Sequence, residues 1–162
     1  MSGAFSQKVV FLTGASSGIG AALALELARR GAILALAARR VELLMTVKNE
    51  CEKLGAKVSV HNCDVTSLSN VEQAVQSIEQ AWGPIDIVIA NAGVSGGLKA
   101  KYFRADQAAQ IIDVNVKGLV HTVGAVLPAM CRRNSGIIVG ISSLASYISF
   151  PQSHVYCASK SA

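Results

Sequence analysis

Five short apolar runs mark the chain, and each is followed by a stretch whose apolar residues recur at helical spacing. KVVFLT (8–13) is β-branched and apolar after its lysine, and predicts a buried strand. AALALELARRG follows after a glycine-rich turn and predicts a helix that stops at Gly31. AILALAA (32–38) predicts a second strand; its alanines would also suit a helix, but its shortness and the glycine before it favour strand. VELLMTVKNECEKLG (41–55) reads as a helix ending on Gly55, and the alternating KVSVHNC (57–63) as a third strand. TSLSNVEQAVQSIEQAWG (66–83) opens on Thr66 or Ser67 as N-cap and continues with apolar residues on one helical face. DIVIANAG (86–93) is the fourth strand and GIIVGISS (136–143) the fifth. Between them the segment 106–130 is helical for much of its length, and a last helix begins near His154.

Strand alternating with helix over five strands implies parallel βαβ units with right-handed crossovers. No repeat or linker divides the pattern, so residues 1–162 read as one doubly wound α/β domain. Ligands of such sheets bind beyond the carboxyl ends of the strands, near the point where strand order switches.

Composition narrows the function. The chain is 51% hydrophobic and 15% charged, which suits a packed core and not a disordered segment. Its net charge is +5, but no basic run exceeds two residues, so nucleic-acid binding is not expected. A site for an anionic small ligand accounts for the mild basic excess. Cys51, Cys63, Cys131 and Cys157 show no paired spacing, and His61, His121 and His154 no metal-ligand spacing. Reduced thiols, structural histidines, no metal and a cytoplasmic location are the expectation. MSGAFSQK lacks an apolar signal core, and the apolar runs are shorter than a membrane span, so no membrane insertion is expected.

The first candidate chemistry lies in TGASSGIG. Gly14, Gly18 and Gly20 stand between the first strand and the first helix, spaced G-x-x-x-G-x-G. Glycine permits a sharp turn and close backbone approach to a ligand, and the helix N-terminus offers N–H groups to a phosphate. Alone, such glycines are as readily a structural turn; after the first strand of a βαβ pattern they point to a dinucleotide. Gly14, Ser16, Ser17, Gly18, Ile19 and Gly20 are therefore candidate cofactor contacts. At the end of the second strand an acid would hold the ribose hydroxyl of NAD, whereas an arginine accommodates the 2′-phosphate of NADP. Here the residues are Ala37, Ala38, Arg39 and Arg40, so NADP(H) is favoured over NAD(H). Arg39, nearer the strand end, is the preferred phosphate reader, with Arg40 beside it.

At this point the sequence resembles the short-chain dehydrogenase/reductase family. The resemblance rests on TGASSGIG, on CDV at Asp64 and Val65, on ANAG at 90–93, on Asn115 in DVNVKG, on ISS at 141–143 and on YCASK at 156–160, in order along the chain. The usual NNAG differs here only at Ala90. The resemblance implies that Asp64 and Val65 lie against adenine and that Asn91, Ala92 and Gly93 support the central strand and the cofactor. It also implies a catalytic set of Asn115, Ser143, Tyr156 and Lys160, with Ser143 chosen over Ser142 by its distance from the tyrosine. A small carbonyl or alcohol would be the substrate, and a homodimer or homotetramer the assembly.

The chemistry is physically coherent. Reducing a carbonyl needs a hydride to carbon, which the nicotinamide cofactor carries, and a proton to oxygen. A tyrosine can supply that proton, and a lysine ammonium one helical turn away favours its phenolate form. Ser143 would hydrogen-bond the oxygen as it gains charge. By resemblance alone, Asn115 would hold a water near Lys160. Family members continue beyond the YCASK motif with two further strands and a substrate-covering segment, so the chain is expected to be a cofactor half carrying the catalytic corner. The alternative is a non-catalytic nucleotide-binding fragment or short isoform. Tyr147, Ile148 and Phe150 suggest an apolar or bulky substrate.

Overall fold

A computed structural model describes residues 3–96 and 100–162. Five parallel strands form one sheet in the order β3-β2-β1-β4-β5. They are β1 (Val9–Thr13), β2 (Ile33–Ala38), β3 (Val58–Asn62), β4 (Ile87–Ala90) and β5 (Ile137–Gly140). Helices cover both faces, making a doubly wound, Rossmann-like α/β fold. β1 lies at the centre, pairing Phe11 with Ala35 of β2 on one side and with Val88 of β4 on the other. The strand order reverses between β1 and β4, and the sequence chemistry gathers at that switch.

Burial explains the sheet. All five residues of β1 and all four of β4 are buried, as expected of strands covered on both faces. On one face Val10, Leu12, Leu34 and Leu36 pack under α1 (Gly18–Arg29) and α2 (Val41–Lys53) through Ala24, Ala28, Leu44 and Val47. On the other, Phe11, Ala35 and Val88 pack under α3 (Leu68–Trp82) and α5 (Gly118–Arg132) through Val71, Ile78, Val126 and Met130. The small alanines of β2 let these helices sit close. Ser67, not Thr66, caps α3, its hydroxyl accepting from Asn70 N at 3.4 Å.

Two strands end earlier than their apolar runs suggest. β4 stops at Ala90 because the next backbone N–H groups leave the ladder: Asn91 N and Ala92 N both donate to Thr13 Oγ1, at 3.1 and 3.2 Å. β5 stops at Gly140, and the hydroxyl of Ser143 accepts from Ala145 N to open a short 3₁₀ turn, Leu144–Ser146. At the sheet edge β5 is the least covered strand, with Ile137 56% exposed.

The helix expected at 106–130 is longer and not uniform. α4 (Ala105–Ile112) runs through a π-helical turn, Asp113–Lys117, into α5 without a break in the chain direction. By length and composition this 28-residue stretch could cross a bilayer, which the apolar runs in the sequence do not suggest. It carries Asp106, Asp113 and Lys117, however, and lays Ile111, Val114, Val126 and Met130 inward. The last helix, α6 (His154–Ser161), packs against α4 and the 3₁₀ turn and buries Cys157 and Ser159.

Candidate active site

Thr13 and Asn91 fasten the switch point. The Thr13 side chain is buried and takes two amide hydrogens from the loop after β4. In return Asn91 Nδ2 donates to the carbonyls of Thr13 and Gly14, at 3.0 and 3.2 Å. These bonds satisfy the backbone where two strands part, and they hold the glycine turn against β4.

The turn itself depends on glycine at defined positions. Gly14 and Gly18 have φ of +66° and +56°, in the left-handed region. Gly20 sits against the turn so closely that a Cβ there would lie 2.2 Å from Gly14 O. At Gly18 a Cβ would meet nothing within 4 Å, because that side opens to the cleft. Ser17, at the N-cap of α1, makes no capping bond, so its side chain leaves the first amides of the helix unoccupied. An uncapped helix start with bare backbone before it fits a pyrophosphate.

This turn forms one end of a cleft of about 620 Å³. Along it follow Ala38 at the end of β2 with Arg39 and Arg40 beyond it, Cys63, Asp64 and Val65 just after β3, Asn91 to Ser95 just after β4, and finally Ile141, Ser142, Tyr156 and Lys160. The structure thus brings together every candidate cofactor contact, including Ser16, Ser17, Ile19, Ala92 and Gly93, and both members of the Tyr–Lys pair.

The two arginines differ in a way their order along the chain does not convey. Arg40 Nη2 reaches back to the glycine turn, donating to Ser17 Oγ at 2.8 Å and Ser16 Oγ at 3.2 Å. Arg39 instead places its charge near Asp64. Burial works to raise the Asp64 carboxyl, but hydrogen bonds from the Thr66 amide and hydroxyl outweigh it, and the Arg39 charge adds to them. The carboxyl is held below its usual range and stays anionic at neutral pH. Next to it, burial first and the Asp64 charge second push the Cys63 thiol up to about 11, so this cleft-lining cysteine is an inert thiol.

At the other end, Lys160 Nζ donates to Ile141 O at 2.9 Å, which fixes the ammonium beneath the cleft. Tyr156 is half-buried one turn before it. Gly93 backs onto this corner: a Cβ there would lie 3.4 Å from Asn115 Oδ1 and 3.6 Å from Lys160 Nζ. Two members of the expected catalytic set stand off the cleft wall. Ser143 is half-buried and uses its hydroxyl oxygen to accept from Ala145 N at 3.2 Å, while its neighbour Ser142 borders the cleft. Asn115 is buried in the π-helical turn, its Oδ1 accepting from Val94 N at 2.8 Å. Its Nδ2 donates to Val94 O and to Ser159 Oγ, both at 2.9 Å.

Sequence reasoning missed Thr13 and Ser159. Ser159 is buried and donates to Tyr156 O at 2.7 Å while accepting from Asn115, so it links the π turn to the tyrosine turn. Its signal was a polar residue on the inner face of a short helix, three positions after the tyrosine. Thr13 was marked only by being polar at the end of an otherwise apolar strand.

Comparison with known proteins agrees with this layout. The chain is 42% identical over 158 residues to the glycine betaine reductase of Emericella nidulans, covering 98% of this chain and 12% of that protein. It is 39% identical to an uncharacterized oxidoreductase of Myxococcus xanthus, covering 96% of this chain and 61% of that one. The chain therefore spans less than two thirds of the length of these relatives. Among solved structures it superposes on NAD+-bound xylitol dehydrogenase with a TM-score of 0.93 at 33% identity, covering 98% of this chain and 61% of that one. A metagenomic short-chain oxidoreductase in complex with NADP gives 0.90 at 34% identity, with 96% and 71% covered. A family model for short chain dehydrogenases matches residues 8–162, and the chain belongs to that family of oxidoreductases.

Proposed function

We propose that the protein is an NADP(H)-dependent oxidoreductase that interconverts a carbonyl and an alcohol, with Tyr156 giving and taking the proton. One observation carries the reading: a single cleft has the glycine turn at one end and Tyr156 with Lys160 at the other. The glycine turn and the first amides of α1 would hold the pyrophosphate, Asp64 and Val65 the adenine, and Asn91 to Gly93 the wall beneath the nicotinamide. When bound, the nicotinamide carries the hydride.

The chain's own groups do the rest. Lys160 has three N–H donors and spends one on Ile141 O, leaving two for the cleft. Tyr156, one helical turn before Lys160 at the same end of the cleft, is the group that exchanges a proton with the substrate oxygen. Ser143 accepts one hydrogen bond and its hydroxyl donates none among the described residues, so its O–H would donate to a substrate oxygen as charge develops there. Asn115 has spent both amide hydrogens within the protein, so it can serve a water near Lys160 only as an acceptor.

Preference for NADP(H) rests on the absence of an acid after β2 and on the arginine pair. Solved relatives include both an NAD+ and an NADP complex. Arg40, already held by Ser16 and Ser17, is the better-placed phosphate reader. Arg40→Ala is expected to weaken NADPH binding by about tenfold and to change NADH binding by less than about twofold. Fluorescence titration of both cofactors checks this, and equal weakening of the two would contradict it.

Tyr147, Ile148 and Phe150 are 88%, 53% and 43% exposed beside the Tyr156 end and favour an apolar or bulky small-molecule substrate. Leu119, Val120 and Leu127 give α5 an exposed apolar stripe that suits self-association into a homodimer or homotetramer. The unpaired cysteines suit a cytoplasmic location. Loss of NADPH absorbance against a panel of aryl ketones, α-diketones and 3-oxoacyl thioesters tests the activity in the full-length protein. Turnover with any of them supports the oxidoreductase; NADPH binding with no turnover across the panel favours a non-catalytic nucleotide-binding module.

A further inference from the structure

The loop after β3 supplies Asp64 and Val65 to the cleft, yet what holds Val65 there comes from α5, a helix packed in the same core cluster. His121 lies on the first turn of α5 and its Nδ1 stands 2.9 Å from Val65 O. A carbonyl only accepts, so Nδ1 carries the hydrogen and His121 donates. Among the described residues this carbonyl has no other hydrogen-bond partner. The same turn of α5 seats the Val65 side chain. A Cβ on Gly118 would come within 2.6 Å of Val65 Cγ2, so valine rests directly on bare helix backbone. Thr122 is buried and donates from Oγ1 to Gly118 O at 2.7 Å, which fastens that turn.

We propose that His121 is a positioning residue for the adenine end of the dinucleotide. It makes no contact with the cleft itself. It grips the backbone of Val65 from behind and so fixes the wall on which the adenine rests, beside the Asp64 carboxylate. Without the bond, Val65 O loses its partner and the loop is free to shift relative to α5. The cost then falls on adenine recognition, because the Tyr156 end of the cleft is carried by the residues after β4 and β5 and by α6, to which His121 makes no hydrogen bond among the described residues. The inference rests on the dinucleotide reading above.

The test measures binding, not turnover. Adenosine 2′,5′-bisphosphate, which carries the adenine and the 2′-phosphate but no nicotinamide, is titrated calorimetrically into the parent and three variants. His121→Asn places an amide N–H close to the position of Nδ1, and His121→Gln places it one bond too far. His121→Ala and His121→Gln are expected to weaken the bisphosphate about fivefold to tenfold, the size of one hydrogen bond, and His121→Asn to bind within about twofold of the parent. Binding by the alanine and glutamine variants within twofold of the parent would overturn the proposal, as would equal weakening in all three. Asparagine and glutamine differ little in bulk, so their comparison decides the matter even if the alanine variant does not fold. A parent that does not bind the bisphosphate would instead remove the dinucleotide reading, and the role of His121 with it.

Discussion

Tyr156→Phe is expected to lower turnover by about 10²- to 10⁴-fold, the range that positioned acid–base groups contribute. The substitution removes one oxygen and keeps the ring, so the half-buried position stays filled. No described hydrogen bond is lost, because the phenol makes none among the described residues, and Ser159 binds the Tyr156 carbonyl and not its side chain. Lys160 keeps its anchor on Ile141 O. The variant is therefore expected to melt within a few degrees of the parent and to bind NADPH with a Kd within about twofold of it. The measurement is NADPH oxidation under saturating cofactor with the best carbonyl of the panel, alongside a fluorescence titration. Turnover above a tenth of the parent would contradict the proton-transfer role. A parallel loss of NADPH binding would show that the tyrosine acts through the cofactor and not on the substrate.

Gly20→Ala is expected to abolish NADPH binding and to destabilise the fold by about 3 kcal/mol or more. The added methyl would lie 2.2 Å from Gly14 O, 2.9 Å from Gly14 C and 2.7 Å from Asn91 Nδ2. Two of these are backbone atoms and cannot swing aside. Gly14 cannot retreat either, since its own Cβ direction already faces Ala92 Cα at 2.7 Å. Overpacking of a rigid contact costs about 1–3 kcal/mol and more where backbone must move. Relief would push the glycine turn away from β4 and break the Asn91 bonds to Thr13 O and Gly14 O. Gly18→Ala provides the contrast. It meets no atom within 4 Å, and its cost is the positive φ alone, about 1–2 kcal/mol. Thermal melts are expected to rank the parent highest, Gly18→Ala next and Gly20→Ala lowest. A Gly20→Ala protein as stable as the parent would contradict the packing described for the turn.

Much of this molecule was legible from the order of its residues, and the limits have physical causes. The buried strands announced themselves because β1 and β4 are covered on both faces and carry almost nothing but apolar side chains. The end of β4 did not, because that strand is stopped by a tertiary partner: Thr13 Oγ1 captures the amides of Asn91 and Ala92 from 78 and 79 residues away. The π turn at Asp113–Lys117 leaves no mark in a helical pattern, since one extra residue per turn alters neither composition nor polarity. The glycine turn and the Tyr–Lys pair could be read because their spacing is local. That Arg40, and not Arg39, reaches across to Ser16 and Ser17 could not be read from the sequence, because proximity to the strand end says nothing of where a guanidinium is anchored. Ser159 and His121 stayed hidden for the same reason. Each works through one bond to a distant element, Asn115 in one case and Val65 in the other.

The central claim is a dinucleotide cleft that reads a 2′-phosphate, and titration of the 162-residue chain with NADPH and with NADH, followed by cofactor fluorescence, tests it most directly. The expected result is saturable binding of both, with NADPH tighter by about tenfold. Equal affinities, tighter NADH, or no saturation by either cofactor in a sample that melts cooperatively would contradict it.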